Sequence, residues 1–342
     1  MMKQISQAAR NWKGPTVHQI AELSGVGVAT VDRVLNGRPG VRNETRKRVQ
    51  SALSKLQYDQ NTVTQLRIGL LCDSGVTFNS TIAQATDYTN LTVPSVTIVG
   101  TYSETSAFDP QDFAGRIEKE GEISDGLILI AREHPAINGA VRTMRRNGLP
   151  VVCLTTDLPS SRRSAYIGND QYAAGSVAAQ LIGQALPKSE QNILIVMSVP
   201  FRCQMEREMG FRRVLRSTYP HLHLKEKVIS DDVPETTYEH VRPFFGKRGA
   251  PSAVYNVAGA NRGVAKALES SGCGDTTIFV GHELTQISQQ LLISGTMDYV
   301  ISHDFEAEVQ AAAQWIKSFH EGVDSDLRPT QILVHTRYKC GA

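Results

Sequence analysis

A regular alternation of short apolar runs and amphipathic segments begins near residue 68 and continues almost to the end of the chain. Strands and helices in this order form parallel sheets covered by helices on both faces, because a parallel connection needs a long crossover. About ten strands is more than one open sheet usually holds, so two α/β lobes are predicted. The apolar, β-rich runs lie at 68–72, 96–99, 127–130, 151–154, 193–197, 253–256, 278–280 and 299–301.

The amphipathic segments between these runs predict helices, with the clearest examples at 137–146, 171–184, 206–217, 262–270 and 305–319. We predict one α/β region over 68–342. Its N-lobe takes about 68–168 plus 302–325, and its C-lobe takes about 169–301 plus 326–342. Ligands of such folds bind beyond the carboxyl ends of the strands, so polar residues just after strands are the candidates for a binding site.

The first sixty residues differ in charge from the rest of the chain. They hold ten Lys and Arg against four Asp and Glu, whereas the 342-residue chain has a formal net charge of only +2. A basic segment on a mildly acidic body suggests contact with a polyanion. We predict a flexible tail at 1–15, a separate basic domain at 16–60 and a short linker at 61–67.

Residues 16–60 predict three short helices. Thr16 and Gln19 form a capping-box pattern ahead of an apolar run, and Gly25 permits the tight turn before the second helix. The breaker cluster at 36–40 separates that helix from a third at about 43–57. The pattern alone leaves a DNA-binding helix–turn–helix and a non-binding three-helix core as alternatives.

The residues TVHQIAELSGVGVATVDRVLNG, followed by VRNETRKRVQSALSKLQY, closely resemble the N-terminal domain of the LacI (lactose-repressor) family. Gly27 and Asp32 stand where serine is usual. The resemblance implies that Val28, Ala29 and Arg33 face base edges, and arginine can bind guanine O6 and N7 with two hydrogen bonds. It assigns contacts with phosphate, which fix register without reading sequence, to Thr16, His18, Thr30, Asn36, Arg42 and Thr45.

The segment after the third helix departs from the family. Related proteins have a hinge helix whose leucine enters the minor groove, but here Gln60 replaces a proline and Arg67 stands where the leucine is expected. The linker is shorter, and a helix would reduce its reach further. Leu66 or Val63 could serve as an apolar wedge; the alternative is a plain linker or the start of the first strand.

Residues 68–342 resemble the periplasmic-sugar-binding-like effector domain of the same family, close to the ribose-binding type. The resemblance implies a small sugar, sugar acid or polyol in the cleft between the lobes. Arg207 matches a family arginine, Glu283 a family aspartate and His303 a family glutamine, while Asn256 and Asn261 compete for one position. The ligand-binding candidates are Asp73, Phe78, Asn79, Arg132, Asp157, Asn169, Arg207, Asn256, Glu283 and His303.

Several of these residues also have a purely structural interpretation. Phe78 suits the apolar face of a sugar ring, but core packing would serve it equally well. Arg207 could form a salt bridge on a helix surface, His303 could be a structural histidine, and Glu283 could cap the helix that follows it.

The motifs of common enzyme classes are not found in the sequence. A nucleophile elbow, HExxH and a P-loop are absent, and the histidines and five cysteines lack metal-ligand spacing. We therefore predict no catalytic residue, no metal site and no cofactor. Free thiols, a start without an apolar signal segment and no run of ~18 apolar residues predict a cytoplasmic protein with no membrane segment.

The sequence thus predicts a homodimeric transcription regulator, a repressor that leaves a pseudo-palindromic operator when its effector binds. Corepression is the other possible sign. The alternatives are a solute-binding protein of a sugar transport system, a regulator that needs no ligand, and an enzyme acting on a sugar.

Replacing Arg33 with alanine should lose the sequence preference that Arg33 supplies while leaving salt-sensitive binding to any duplex, because contacts with phosphate carry no sequence information directly. Titrating operator and random DNA with the Arg33→Ala variant at two salt concentrations measures both terms. Discrimination equal to that of the wild type would refute the assigned role.

Overall fold

The computed structural model describes residues 15–60, 65–246, 250–325 and 327–341. The chain divides into two compact units, Met1–Gln65 and Leu66–Ala342. The predicted tail, apart from Pro15, and residues 61–64 of the predicted linker lie outside the described residues, and with them the candidate wedge Val63. No helix within the described ranges combines the length and the apolar character needed to cross a bilayer.

The described part of the N-terminal unit contains the helices α1 (Val17–Ser24), α2 (Val28–Leu35) and α3 (Asn43–Gln60). The predicted capping box is present, since Thr16 accepts a hydrogen bond from Gln19 N (3.3 Å) while the Gln19 side chain binds Thr16 N (2.8 Å). The three helices share an apolar core formed by Ile20, Ala21, Val31, Val34, Val49 and Ala52.

Arg48 has a structural role that its charge alone did not predict. Its Nη2 donates a 2.6 Å hydrogen bond to the carbonyl of Ser24, the last residue of α1. The last carbonyls of a helix lack intrahelical partners, so this arginine of α3 satisfies one of them. It therefore ties the end of α1 to α3.

The first sheet of the C-terminal unit is parallel and has the strand order β2-β1-β3-β4-β5. Its strands are β1 (Leu66–Ser74), β2 (Val96–Glu104), β3 (Gly126–Ile130), β4 (Val151–Leu154) and β5 (Ala165–Ile167). Helices α4 (Val76–Thr92) and α12 (Phe305–Glu321) pack on one face, and α5 (Pro110–Glu122) and α6 (Pro135–Arg146) on the other. We call this sheet and its helices the N-lobe.

The second sheet has the order β11-β10-β9-β8-β6-β7, and only its edge strand β11 runs antiparallel to its neighbour. Its strands are β6 (Gln191–Met197), β7 (Leu222–Ile229), β8 (Ala253–Asn256), β9 (Ile278–His282), β10 (Tyr299–Ser302) and β11 (Leu333–His335). One face carries α7 (Gln171–Ala185) and α8 (Arg202–Thr218); the other carries α9 (Pro234–Val241), α10 (Asn261–Ser270) and α11 (Gln286–Ser294). This is the C-lobe.

The predicted fold class, a helical head followed by an α/β region with parallel sheets, is confirmed. One boundary needs correction: the predicted linker 61–67 ends too late, because Leu66 and Arg67 already belong to β1. Leu66 is buried in the N-lobe core, so it is a strand residue and is not available as a wedge. The strands β5, β7 and β11 were not predicted; β7 contains three charged residues, and the other two are only three residues long.

The chain passes between the lobes three times: from β5 to α7, from β10 to α12, and from α12 to β11. We call these segments, 168–170, 303–304 and 322–332, the three crossings. Two of them are joined by backbone pairing, since Thr330 N donates a 3.0 Å hydrogen bond to the carbonyl of Gly168.

Helices α7 and α8 approach each other closely through two glycines. A Cβ atom on Gly175 would lie 1.9 Å from the carbonyl oxygen of Arg207, and one on Gly210 would lie 1.9 Å from that of Tyr172. Neither contact is possible for a real side chain, so only glycine permits this helix pair. The pair holds Arg207 against the start of α7.

Adding a methyl group at this contact should destabilise the C-terminal unit, because two backbones would have to separate. We expect Gly175→Ala to lower the free energy of unfolding by about 2 kcal/mol. The control is Gly139→Ala in α6, where a Cβ meets no atom within 4 Å and helix propensity favours alanine. Denaturant titration measures the unfolding midpoint of both variants. Equal midpoints would contradict the close packing of α7 against α8.

Candidate functional site

A cavity of about 450 Å³ opens where strands of both lobes end at their carboxyl edges. This is the edge at which open parallel sheets bind ligands, and the volume suits a small molecule. Its walls come from the segments after β1, β4, β6, β7, β8 and β9, and include Ser74–Phe78 on the N-lobe side and Val257–Arg262 on the C-lobe side.

Arg207 lines the cavity and is the centre of a buried hydrogen-bond network in its wall. Its Nε donates to Gln171 Oε1 (2.7 Å), its Nη1 to the carbonyl of Val257 (3.3 Å) and its Nη2 to Glu283 Oε1 (2.8 Å). Nη2 also lies 3.2 Å from His303 Nε2. Every nitrogen of the guanidinium is thus engaged, which is the condition for burying such a charge.

His303 is held in one tautomer. Its Nε2 accepts from Arg207 and also from Gln171 Nε2 (3.2 Å), whose orientation is fixed because it donates to Thr155 O as well. Its Nδ1 donates to Glu308 Oε1 at 2.9 Å. Burial lowers the pKa of His303, and the carboxylates of Glu308 and Glu283 raise it above its ordinary value. The two donors at Nε2 leave no room for a second proton, so we assign the neutral ring.

Two buried polar atoms in the cavity wall have no hydrogen-bond partner among the described residues: Glu283 Oε2 and Thr155 Oγ1. An unsatisfied buried acceptor costs roughly 1–3 kcal/mol, so such atoms are rare unless a ligand or water completes them. A carboxylate oxygen accepts only, and a hydroxyl group can both donate and accept. Glu283 Oε2 therefore lacks a donor, and Thr155 Oγ1 lacks both kinds of partner, among the described residues.

The cavity wall also concentrates backbone strain. Thr155, Asp232, Ala260 and Glu283 have φ between 54° and 66°, a region that residues other than glycine rarely adopt. Of the described residues other than glycine with positive φ, only Arg162 lies elsewhere. Strain of this kind persists where the surrounding structure over-determines it and clusters at binding sites.

Three of the ten ligand-binding candidates line the cavity: Phe78, Arg207 and Glu283. The salt bridge expected as an alternative for Arg207 exists, but it is buried and lies within the site. Phe78 also makes the packing contact that was the alternative to a ligand contact: its ring packs edge-to-face on Phe305, with ring centroids 5.3 Å apart. His303 lies behind Arg207, outside the cavity lining.

The other candidates are engaged with the protein and lie outside the lining. Asp73 is buried and takes a bidentate pair of hydrogen bonds from Arg132 (2.7 and 3.2 Å), and burial raises the pKa of Asp73 although Arg132 opposes the shift. Arg132 stacks 3.5 Å above the ring of Phe108. Asp157 is paired with Arg163 in the same bidentate manner (2.6 and 2.7 Å).

The predicted asparagines serve mainly as local braces. Asn79 donates to the carbonyls of Ser74 in β1 (3.0 Å) and Ser103 in β2 (2.8 Å), and Asn169 pairs with Thr330 between two crossings. Asn256 donates to Asn261 Oδ1 (2.7 Å), and Asn261 is the one of the two that lines the cavity. The choice left open by the sequence therefore goes to Asn261 as the wall residue.

Sequence reasoning missed Asp232, Glu104, Gln204 and Phe201, which also line the cavity. Asp232 follows β7, and that strand was overlooked because its charged sequence lacks an apolar run. Its carboxylate accepts from Gly259 N (2.9 Å), and burial raises its pKa. In the described part of the chain, no three His, Cys, Asp or Glu side chains are arranged to hold a metal ion.

The head presents a second candidate surface on α2. Val28, Ala29 and Arg33 are exposed, with Val28 at 41%, while Val31 and Val34 face the core. These are the residues predicted to face bases. Among the predicted phosphate contacts, His18 and Arg42 are exposed, Thr30 and Thr45 are partly buried, and the Thr16 hydroxyl donates within its capping box.

Asn36 is not arranged as expected. Its Nδ2 donates both hydrogens to Asp32, one to the backbone carbonyl (2.9 Å) and one to Oδ1 (2.8 Å). Only its Oδ1 remains outward, and this atom cannot donate to a phosphate. The phosphate contact predicted for Asn36 therefore requires these bonds to break.

Two protein families match this chain, one in each of its two units. The family described as "Bacterial regulatory proteins, lacI family" matches residues 16–61. The "Periplasmic binding protein domain" family matches residues 116–322, more than half of the chain.

Among curated proteins, the HTH-type transcriptional regulator pepR1 of Lactobacillus delbrueckii subsp. lactis is 42% identical over 55 residues, 16% of either chain. Catabolite control protein A of Streptococcus mutans is 40% identical over 50 residues, 15% of either chain. The aligned region thus spans only about a sixth of the length of these relatives.

Solved structures share the fold of the C-terminal unit. The glucose-galactose binding protein GanP of Geobacillus stearothermophilus has a TM-score of 0.71 at 19% identity and covers 80% of this chain and 98% of its own. A solute binding protein of Burkholderia graminis in complex with D-arabinose has a TM-score of 0.73 at 17% identity, with coverages of 80% and 96%.

Removing the central cation should be costly, because Glu283 would stay buried without its ion-pair partner. We expect Arg207→Leu to lower the free energy of unfolding by about 3–5 kcal/mol. The control is Arg242→Leu, which breaks an exposed pair with Glu239 (3.6 Å) and should change stability by less than about 1 kcal/mol. Chemical denaturation measures the free energy of unfolding of both variants. Similar decreases would show that Arg207 stabilises the protein no more than an exposed arginine does.

Proposed function

We propose that this chain, which belongs to the family of periplasmic binding protein domains and carries a lacI-family domain at its N-terminus, is a DNA-binding transcription regulator controlled by a small ligand. The observation that carries the proposal is the presence, in one chain, of a basic helix–turn–helix unit and a cavity with two unsatisfied buried polar atoms. The first suits DNA and the second suits a ligand.

The proposed effector is a sugar, sugar acid or polyol. Glu283 Oε2 and Thr155 Oγ1 supply an acceptor and a hydroxyl for its polar groups, and Phe78 and Phe201 supply apolar wall. Solute binding proteins with this fold have been solved with D-arabinose, D-allose and myo-inositol, which supports the same ligand class here.

The regulator acts as a cytoplasmic homodimer on a pseudo-palindromic operator, since two identical heads read two related half-sites. As a repressor, the protein occupies its operator until a ligand closes the lobes and releases the DNA. Effector and operator affinities are then coupled reciprocally, each lowering the other by the same factor. An effector that strengthens operator binding would reverse the sign and make it a corepressor.

A solute-binding role in transport is the second candidate, and it is favoured by the likeness of the C-terminal unit to solute binding proteins. The helix–turn–helix unit disfavours it, because a transport protein has no use for an exposed recognition helix. The two functions differ in one measurable property, namely sequence-selective binding of duplex DNA.

A thermal-shift screen against neutral sugars, sugar acids, polyols and sugar phosphates should reveal the effector class. A ligand at 100 times its Kd adds ~2.7 kcal/mol to native stability, which is a readily measured shift. Thr155→Val is the matched variant, because it removes one hydroxyl from the wall while keeping the side-chain shape. We expect it to lose part of the shift, and an undiminished shift would exclude Thr155 as a contact.

The ligand found in that screen then enters a fluorescence-anisotropy titration of operator DNA. We expect the operator Kd to rise at least fivefold when the ligand is saturating, in line with typical coupling free energies. Equal operator affinity with and without ligand would leave a regulator that does not need a ligand. The absence of selective DNA binding would leave the transport role.

A further inference from the structure

The exposed face of α2 carries an acidic side chain among the residues that face outward. Asp32 lies one turn after Val28 and one turn before Asn36, next to Arg33, and its side chain is 46% exposed. A carboxylate on a DNA-binding surface is repelled by the phosphates, so its presence there calls for a local explanation.

Both oxygens of Asp32 are held from the segment that follows the helix. Oδ1 accepts from Asn36 Nδ2 (2.8 Å), and Oδ2 accepts from Arg38 Nη1 (3.2 Å). The guanidinium offsets the carboxylate charge, and the two donors fix the side-chain orientation. An ionised carboxylate offers about four lone-pair sites, so roughly two acceptor sites remain free.

We propose that Asp32 is a specificity-determining residue that accepts a hydrogen bond from the N4 amine of a cytosine in each half-site. This inference rests on the proposed function, since it requires α2 to lie in the major groove. Cytosine presents a donor there, whereas guanine and thymine present acceptors, which a carboxylate repels. Adenine also presents a donor, N6, but beside the acceptor N7, so Asp32 selects cytosine and rejects guanine and thymine most strongly.

Asn36 and Arg38 are the positioning residues for this contact. Asn36 donates both amide hydrogens to Asp32, so its amide nitrogen has no hydrogen left to donate to DNA. Arg38 is exposed beyond the end of α2, where its charge also lowers the repulsion between Asp32 and the phosphates. The three side chains form one unit at the C-terminal end of α2.

The test is a selection of bound sequences from a random duplex library, using the full chain. The wild type should enrich a motif in which each half-site contains one cytosine whose enrichment requires Asp32. In Asp32→Ser and Asp32→Asn, the preference at that position alone should fall about tenfold in relative Kd, while the position read by Arg33 is unchanged.

Two control variants separate base reading from charge and from local structure. Glu22→Gln removes an exposed carboxylate from α1 and should change affinity equally for all sequences. Arg38→Gln removes the charge but keeps an N–H donor for Asp32, so it should weaken binding to all sequences and keep cytosine in the motif. Circular dichroism of each variant verifies that the head is folded.

The outcomes distinguish this inference from the proposed function. If the wild type enriches a motif and both Asp32 variants enrich the same one, Asp32 only fastens the turn after α2 and the inference is overturned. If the wild type enriches no motif at all, sequence-specific regulation fails, and the role of Asp32 fails with it.

Discussion

The hydrogen bonds and the salt bridge of the buried Arg207 guanidinium are the interactions on which the rest of the C-terminal unit depends. A cation with this little solvent around it is tolerated only when each nitrogen finds an acceptor. The acceptors come from distant parts of the chain: the start of α7, the end of β8, the segment after β9 and the segment after β10. Satisfying one side chain therefore brings together four elements at one edge of the C-lobe.

The same network reaches the crossings between the lobes. Gln171 follows the first crossing, His303 lies in the second, and Glu308 joins His303 to Thr330 in the third. Glu283, which pairs with Arg207, belongs to the cavity wall, and its other oxygen is buried with no hydrogen-bond partner among the described residues. A ligand that completes Glu283 acts on a chain of contacts that ends at the segments about which the lobes would move, which gives the proposed control a physical route.

Much of the fold was predictable, because apolar runs and helix periodicity are local signals. The site was predictable only in part. Of the predicted ligand-binding residues, Arg207, Glu283 and Phe78 line the cavity, and their ligand contacts stay predictions; Asp73, Arg132 and Asp157 pair with one another or with a neighbour. A charged residue after a strand has the same sequence signature whether it meets a ligand or an arginine. Asp232 was missed because its strand, β7, is charged and edge-placed.

Periodicity, helix caps and charge along the chain were enough to predict the two-part organisation, the helical head with its capping box and exposed α2, and the parallel α/β body. Which polar groups are paired depends instead on how the elements pack. Packing pairs Asn36 and Arg38 with Asp32 and pairs Asp73 with Arg132, and it leaves Glu283 Oε2 and Thr155 Oγ1 without hydrogen-bond partners among the described residues. Pairing depends on distances between residues far apart in sequence, and these arise only when the elements pack.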